Sequence, residues 1–347
     1  MAHNVTRIGI IGAGWPGQAH ARGCADAGGI KVVAVADLIP ARRKQIITEF
    51  GAAKEYADAK ELIEDKEVDA VAVCLPNHLH APTAIAALRA GKHVVCETPP
   101  AMSAKEAKQI ASAATKAGKI LLYGFQRRFG GAEQASKQAI EKGYAGDVYH
   151  ARAAWTRTRG VPVGTGWFTD KSASGGGALI DIGIHMLDLA WHLLGQPNPQ
   201  SVFAAAHQKL GPTVSNNGTY NVDDAAFALV RFDGGRTLEL GASWALNQPP
   251  QQQGIVCRLH GDKGAVDVYT TTGATLYRGF SPKGDAKAAP LKPPRVVGHA
   301  SLMRHFRECI SGKSQPSVGA SEGVVLMQMI DAMYRSAETG KSVEVRP

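Results

Sequence analysis

Aromatic residues are scarce, at 6% of 347, and the five cysteines are odd in number, far apart and without CxxC spacing. Cys24, Cys74, Cys96, Cys257 and Cys309 thus point to neither a disulfide framework nor a zinc knuckle, and suit a reducing cytoplasm. No stretch approaches the ~18 uninterrupted apolar residues of a membrane-spanning helix. The opening MAHNVTRIGIIGAGW reaches its first apolar segment without the basic region and cleavable apolar core of a secretory signal. A soluble, non-secreted protein with no membrane partner is expected. Basic runs of five or more are missing too: of the net charge of +9, three charges fall in residues 1–124 and six in the remainder. Such diffuse charge argues against nucleic-acid binding and favours mild attraction for anionic cofactors. There is no internal repeat, and the pairs His78/His80 and His185/His192 lack a third ligand, so no metal is expected.

What is present is an ordinary globular composition, 44% hydrophobic and 20% charged, in a chain long enough for two domains. The first half alternates in βα fashion. Arg7 to Ile11 reads as a strand, Gly12-Ala13-Gly14-Trp15-Pro16-Gly17 as a turn, Gln18 to Ala27 as a helix and Lys31 to Ala36 as a second strand ending at Asp37. GxGxxG in that setting is a dinucleotide turn. Gly12 permits the bend, Gly14 lets backbone N–H groups approach a pyrophosphate, and Gly17 allows close helix–strand packing. Asp37 would accept from ribose hydroxyls and repel a 2′-phosphate, and Leu38 offers no cation, so NAD is expected over NADP. Arg42 and Arg43 on the next helix are the residues that could reverse that preference.

The alternation continues with helix Ala57 to Glu64, strand Ala70 to Leu75, helix Pro82 to Ala90, strand His93 to Cys96, helix Ala104 to Ala117 and strand Ile120 to Gly124. A doubly wound parallel sheet over residues 1–124 is expected, with ligand groups just beyond the strand ends. Those stretches are Pro76-Asn77-His78-Leu79-His80, Glu97-Thr98-Pro99-Pro100 and Phe125-Gln126-Arg127-Arg128.

Residues 125–347 are strand-rich. Asp147 to Arg157, Ser201 to Leu210, Ala225 to Phe232, Thr237 to Ala245, Ile255 to His260 and Ala265 to Tyr269 read as strands, with closing helices His299 to Ile310 and Ser321 to Ala337. A large, mostly antiparallel open sheet is expected, in an α+β domain that associates with a second copy through its uncovered face, as a dimer or tetramer. The C-terminal helix is expected to pack back on the first domain. Trp155 to Asp170 carries Arg157, Arg159, Trp167 and Phe168, of the types that bind hydroxyls or stack on a pyranose. The stretch GGGALIDIGIHMLDLAWHLLG, from Gly175 to Gly195, reads as a buried helix with Asp181, His185, Asp188 and His192 on one stripe. A carboxylate one turn before an imidazole can orient it as a general base.

Five stretches in order, IGIIGAGWPGQAH, VCLPNHLHAPTAIAALRAGKHVVCETP, GFQRRF, GGGALIDIGIHMLDLAWHLLG and MIDAMYRSAETGKSVEV, resemble the glucose-fructose oxidoreductase / inositol dehydrogenase / MocA (Gfo/Idh/MocA) family over nearly the full length. The resemblance implies a Rossmann domain, a C-terminal open-sheet domain and a nicotinamide cofactor between them. It also implies that Asp181 and His185 are the catalytic pair toward a sugar or polyol hydroxyl, that Asn77 and His80 form the cofactor-side loop, and that Glu97 is the glutamate of an E-K-P signature. The lysine of that signature is Thr98 here, which can donate only one neutral hydrogen bond; Arg127 or Arg159 is a candidate for the missing charge. The expected activity is NAD-dependent hydride transfer at a carbohydrate or cyclic polyol carbon. A glycoside hydrolase that uses bound NAD without net redox change, and a non-enzymatic NAD- and sugar-binding regulator, are the alternatives. Catalytic candidates are His185, Asp181 and Thr98. Cofactor candidates are Gly12, Ala13, Gly14, Trp15, Gly17, Asp37, Leu38, Pro76, Asn77, His80 and Glu97, and substrate candidates are Arg127, Arg159 and Trp167.

Overall fold

The computed structural model describes residues 5–162, 166–211, 219–295 and 298–346. Part of the Trp155 to Asp170 stretch, residues 163–165, lies outside the described residues. The chain divides into two compact units, Met1–Phe129 with Val296–Met327, and Gly130–Arg295 with Gln328–Pro347.

The first unit is built on β1 (Thr6–Ile11), β2 (Ile30–Ala36), β3 (Lys54–Tyr56), β4 (Ala70–Val73), β5 (His93–Cys96) and β6 (Leu121–Tyr123), all parallel, in the order β3-β2-β1-β4-β5-β6. Its central strands are apolar on both faces because helices cover both: Ile8, Ile10, Ile11, Val71, Val73, Val94 and Val95 are fully buried. The helices are α1 (Trp15–Ala27), α2 (Pro40–Phe50), α3 (Ala59–Glu64), α4 (His80–Arg89) and α5 (Ala104–Ala117). Side-chain caps set two starts: Asp58 accepts from the Lys60 N–H and Ser103 from the Glu106 N–H.

Val296–Met327 belongs to this unit as well. The Tyr123 N–H donates to the Val318 carbonyl at 3.0 Å, and the buried Arg128 guanidinium donates to the Ser317 carbonyl. A Cβ on Gly23 of α1 would stand 2.8 Å from the His299 carbonyl oxygen, so glycine is what lets the later helix come so close.

The second unit carries α6 (Gly131–Glu141), β7 (Val148–Thr156), α7 (Lys171–Ser174), α8 (Ile184–Leu193), β8 (Pro199–His207), β9 (Ala225–Phe232), β10 (Thr237–Ser243), β11 (Gly254–Gly261), β12 (Gly264–Thr270), β13 (Gly273–Arg278) and β14 (Lys287–Pro290). Then come α9 (Gly298–Ile310) of the first unit, α10 (Ala320–Thr339), whose residues divide between the units, and β15 (Val343–Glu344). The sheet runs β14-β13-β12-β11-β7-β10-β9-β8-β15 and is antiparallel except where β10 lies parallel to β7. Alternation along β9, with Ala226, Ala228, Val230 and Phe232 buried and Phe227, Leu229 and Arg231 exposed, gives one packed face and one open face.

Candidate active site

In the first unit the dinucleotide turn is set by two glycines that tolerate nothing larger. Gly12 lies at φ +88°, where a Cβ would stand 2.2 Å from the Cys74 carbonyl oxygen, and a Cβ on Gly17 would stand 1.9 Å from the Gly12 carbonyl oxygen. Gly14, the N-cap of α1, has no side-chain cap, and Pro16 in the first turn has no N–H to satisfy. The helix end therefore offers bare N–H groups, as an anion site requires. Trp15 and Leu38 are largely exposed. Asp37 follows β2 with each carboxylate oxygen engaged, Oδ2 accepting from the Ala13 N–H at 2.7 Å and Oδ1 from the Ile39 N–H at 2.8 Å. Arg43 donates from Nη1 to the Asp37 carbonyl at 2.7 Å and from Nε to Glu55 at 2.8 Å, so it is engaged by the chain itself; Arg42 is exposed.

After β4, Pro76 leads into a single helical turn, Asn77–Leu79, with Asn77 buried. The buried His80 ring stands between two backbone carbonyls, Nδ1 2.8 Å from the Pro99 oxygen and Nε2 2.7 Å from the Leu75 oxygen, and in its neutral form donates to one of them. Burial pushes its pKa down. Through these contacts His80 joins the end of β4 to the turn carrying Thr98. Thr98 is partly exposed and joined to Pro99 by a cis bond. Glu97 accepts from His20 Nε2 at 2.6 Å and from the Thr98 N–H at 3.1 Å. Burial pushes the Glu97 carboxyl up, but those partners outweigh it and hold it at about 2. Arg127 is partly exposed on a one-turn helix, Gln126–Phe129.

In the second unit the glycine-led stretch starts differently from the helix expected. Gly175, at φ +81°, closes α7, its N–H donating to the Lys171 carbonyl. A Cβ on Gly176 would stand 2.0 Å from the Tyr334 hydroxyl, and one on Gly177 would stand 1.8 Å from the Asp223 carbonyl oxygen. Asp223 then acts as a cap supplied from elsewhere in the chain. Its carboxylate accepts from the N–H groups of Gly177 (2.8 Å) and Leu179 (2.9 Å) and from the Tyr334 hydroxyl (2.9 Å).

Leu179–Gly183 is a π-helical turn that leads into α8. The expected 4-3-4 stripe of Asp181, His185, Asp188 and His192 rests on an unbroken period of about 3.6, and the wider turn interrupts that period at Asp181. Asp181 Oδ2 accepts from the indole Nε1 of the fully buried Trp244 at 2.8 Å. Burial raises the Asp181 carboxyl, the Trp244 hydrogen bond and the positive charge of Arg157 pull it down, and it settles at about 6. His185 is partly exposed, with its ring 6.1 Å from that of Trp155, and the Arg157 guanidinium lies 5.0 Å over the same indole. Arg157 therefore joins this group. Arg159 stands on the outside, donating to Asn247 at 2.8 Å, and Trp167 stacks on Phe168 at 3.8 Å. Phe168, Trp155 and Tyr220 lean on the buried cluster around Trp244, Ile182 and Val222 that backs the site.

Residues 6–125 match the family model described as "Oxidoreductase family, NAD-binding Rossmann fold", and residues 137–345 match "Oxidoreductase family, C-terminal alpha/beta domain", the two Gfo/Idh/MocA models. The chain belongs to the Gfo/Idh/MocA oxidoreductases. This oxidoreductase is 34% identical over 358 residues to the D-glucoside 3-dehydrogenase of Escherichia coli (strain K12), covering 99% of each. It is 27% identical to the scyllo-inositol 2-dehydrogenase (NAD(+)) of Bacillus subtilis (strain 168), covering 99% of this chain and 97% of that one. A crystal structure of an NAD binding oxidoreductase from Klebsiella pneumoniae superimposes with a TM-score of 0.85 at 27% identity, covering 99% of both chains.

The oxidoreductase's turn residues fit NAD. A Cβ on Gly14 would meet nothing nearer than Pro16 Cδ at 3.9 Å, so that side of the turn is open to a ligand while Gly12 and Gly17 close on the chain itself. Sequence reading missed Asp223, Tyr334 and Trp244, which hold the glycine-led segment in place. Their only local sign was the acidic pair Asp223-Asp224 at the head of a strand.

Proposed function

We propose that the oxidoreductase transfers a hydride between a hydroxyl-bearing carbon of a carbohydrate or cyclic polyol and NAD. The observation that carries the substrate class is the partly exposed His185 set beside the Trp155 indole, with Arg157 across that indole. An imidazole can take a hydroxyl proton, a guanidinium can bind neighbouring hydroxyls, and an indole face suits the C–H face of a sugar ring. The 34% identity to a D-glucoside 3-dehydrogenase supports the same class.

In this reading His185 removes the proton from the substrate hydroxyl. Asp181, fixed by Trp244, stabilises the imidazolium once ionised. Thr98 donates one hydrogen bond to the reacting oxygen. Arg127, Arg159 and Trp167 are the candidates to bind substrate groups, and Arg157 adds a positive charge that acts on Asp181. Ala13, Gly14 and Trp15 receive the pyrophosphate, and Pro76 and Asn77 line the cofactor loop, while Asp37 reads the ribose and selects NAD over NADP. NAD, when bound, supplies the hydride acceptor.

The same reading assigns residues 1–124 to the cofactor and 125–347 to substrate and self-association. Phe203, Phe227 and Leu229 are exposed on the open sheet face, Phe203 paired with Leu229 and Ala205 with Phe227 across β8 and β9. A homo-oligomer through that face would cover them. All five cysteines are buried and free, which suits the cytoplasm, and no helix among the described residues is long and apolar enough to cross a membrane.

Thr98 in place of lysine gives the NAD-dependent glycosidase reading its one specific support. A screen of D-glucosides, inositols and aryl glycosides with NAD or NADP, following reduced cofactor and aglycone release together, separates the two. NADH accumulating with a glucoside or polyol and no aglycone is the expected result. Aglycone release without NADH would overturn the dehydrogenase reading.

A further inference from the structure

Behind the dinucleotide turn, three side chains far apart in sequence converge. His20 comes from α1, Glu97 from the end of β5 and His299 from the first turn of α9, and one donor atom from each lies within 4.8 Å of the others. We propose that His20, Glu97 and His299 form a binding site for a divalent transition-metal ion of the Zn2+ class.

Two imidazoles and one carboxylate are a ligand set that suits Zn2+, with a fourth position for water. Tetrahedral coordination with ~2.0 Å bonds places ligand atoms about 3.3 Å apart. The His20 Nε2 to Glu97 Oε1 distance of 2.6 Å falls below that spacing and the 4.8 Å limit lies above it. Small side-chain rotations span the difference.

The two outer groups needed to orient such ligands are in place. His20 points its other ring nitrogen at Met303 Sδ, 3.4 Å away, and the second Glu97 oxygen accepts the Thr98 N–H. His299 Nε2 is a buried polar atom with no hydrogen-bond partner among the described residues. Buried polar atoms are nearly always satisfied, and with this nitrogen turned toward His20 and Glu97 a shared ion would satisfy it. The backbone is built for the convergence as well. Gly23 admits the His299 backbone against α1, and the two imidazoles stand edge to face with centroids 5.4 Å apart. Glu97, its side chain 13% exposed, and the partly exposed His299 leave a way in for a hydrated ion. A bound ion would tie α1, the Thr98 turn and α9 together, and it requires nothing of the dehydrogenase reading.

The test uses the full chain, stripped with EDTA and desalted. Zn2+ titrated by calorimetry is expected to bind with one equivalent per chain, and His299→Ala and His20→Asn are each expected to weaken it by at least ~10-fold. Co2+ added to the wild type is expected to give the intense visible bands of a four-coordinate ion, a readout that stands even if a variant fails to fold. No stoichiometric Zn2+ binding, affinity unchanged in a folded His299→Ala, or only the weak bands of hexahydrated Co2+ would overturn the proposal.

Discussion

Asp181→Asn isolates a strongly perturbed group on the glycine-led segment. The wild-type carboxyl is raised from 3.8 to about 6, with burial the largest cause. Folded protein therefore keeps a proton on Asp181 that the unfolded chain has already released between about pH 4 and pH 6. Stability contributed by the protonated form is present at low pH and lost as pH rises through that window. A tenfold change in proton affinity is worth about 1.36 kcal/mol, so a rise of this size sets an upper bound of about 3 kcal/mol against the wild type above pH 6. Asparagine keeps an oxygen to accept the Trp244 N–H and carries no charge, so the variant escapes this loss. For a domain of this size, ~3 kcal/mol amounts to roughly 6–12 °C in Tm. Tryptophan fluorescence reports on the correct unit, because Trp155, Trp167, Trp191 and Trp244 all lie in it and only Trp15 in the other. The melting difference, variant minus wild type, should be small at pH 4 and grow in the variant's favour to pH 8. A difference that stays constant across that range, or that runs the other way, would refute the burial argument.

Four further outcomes follow from the same geometry. His185→Asn should abolish turnover while leaving NAD affinity nearly intact by calorimetry; a fully active variant would remove that imidazole from the mechanism. Asp37→Ala should weaken NAD more than NADP, because the lost carboxylate is the group placed to accept from a free 2′-hydroxyl; equal losses would mean that it serves only the Ala13 and Ile39 N–H groups. His80→Ala removes the ring that stands between the Leu75 and Pro99 carbonyls and should cost about 1–3 kcal/mol in denaturant unfolding. The double change Phe203→Lys and Leu229→Lys should shift the mass seen by light scattering toward the monomer, and an unchanged mass would move the interface off the open face.

Much of the fold was legible because period and punctuation agreed. The β-branched run before Gly12, the forced glycines and the following small-residue helix gave β1, the turn and α1, and the ends of β5, α5 and β9 came out as expected. Some misses were elements too short or too exposed to leave a pattern, three-residue β3, edge strand β14 and β15 with two residues, while α6 and six-residue β13 also went unread. At the site, Asp181 and His185 were visible from spacing, but the π-turn between Leu179 and Gly183 was not, since it depends on Asp223 and Tyr334 gripping the start of the segment. Trp244 as the partner of Asp181, and Arg157 in place of Arg159 beside it, are tertiary facts with no local signature. The same holds for His20 and His299, which meet only because Gly23 lets two helices touch.

The most direct test of hydride transfer is to follow the hydrogen itself. A glucoside or inositol that proves active, deuterated at its carbinol carbons and incubated with NAD, should yield NADH carrying one deuterium at nicotinamide C4, together with the oxidised sugar. Reduced cofactor without deuterium, or substrate consumed with none of the label reaching the nicotinamide, would contradict it.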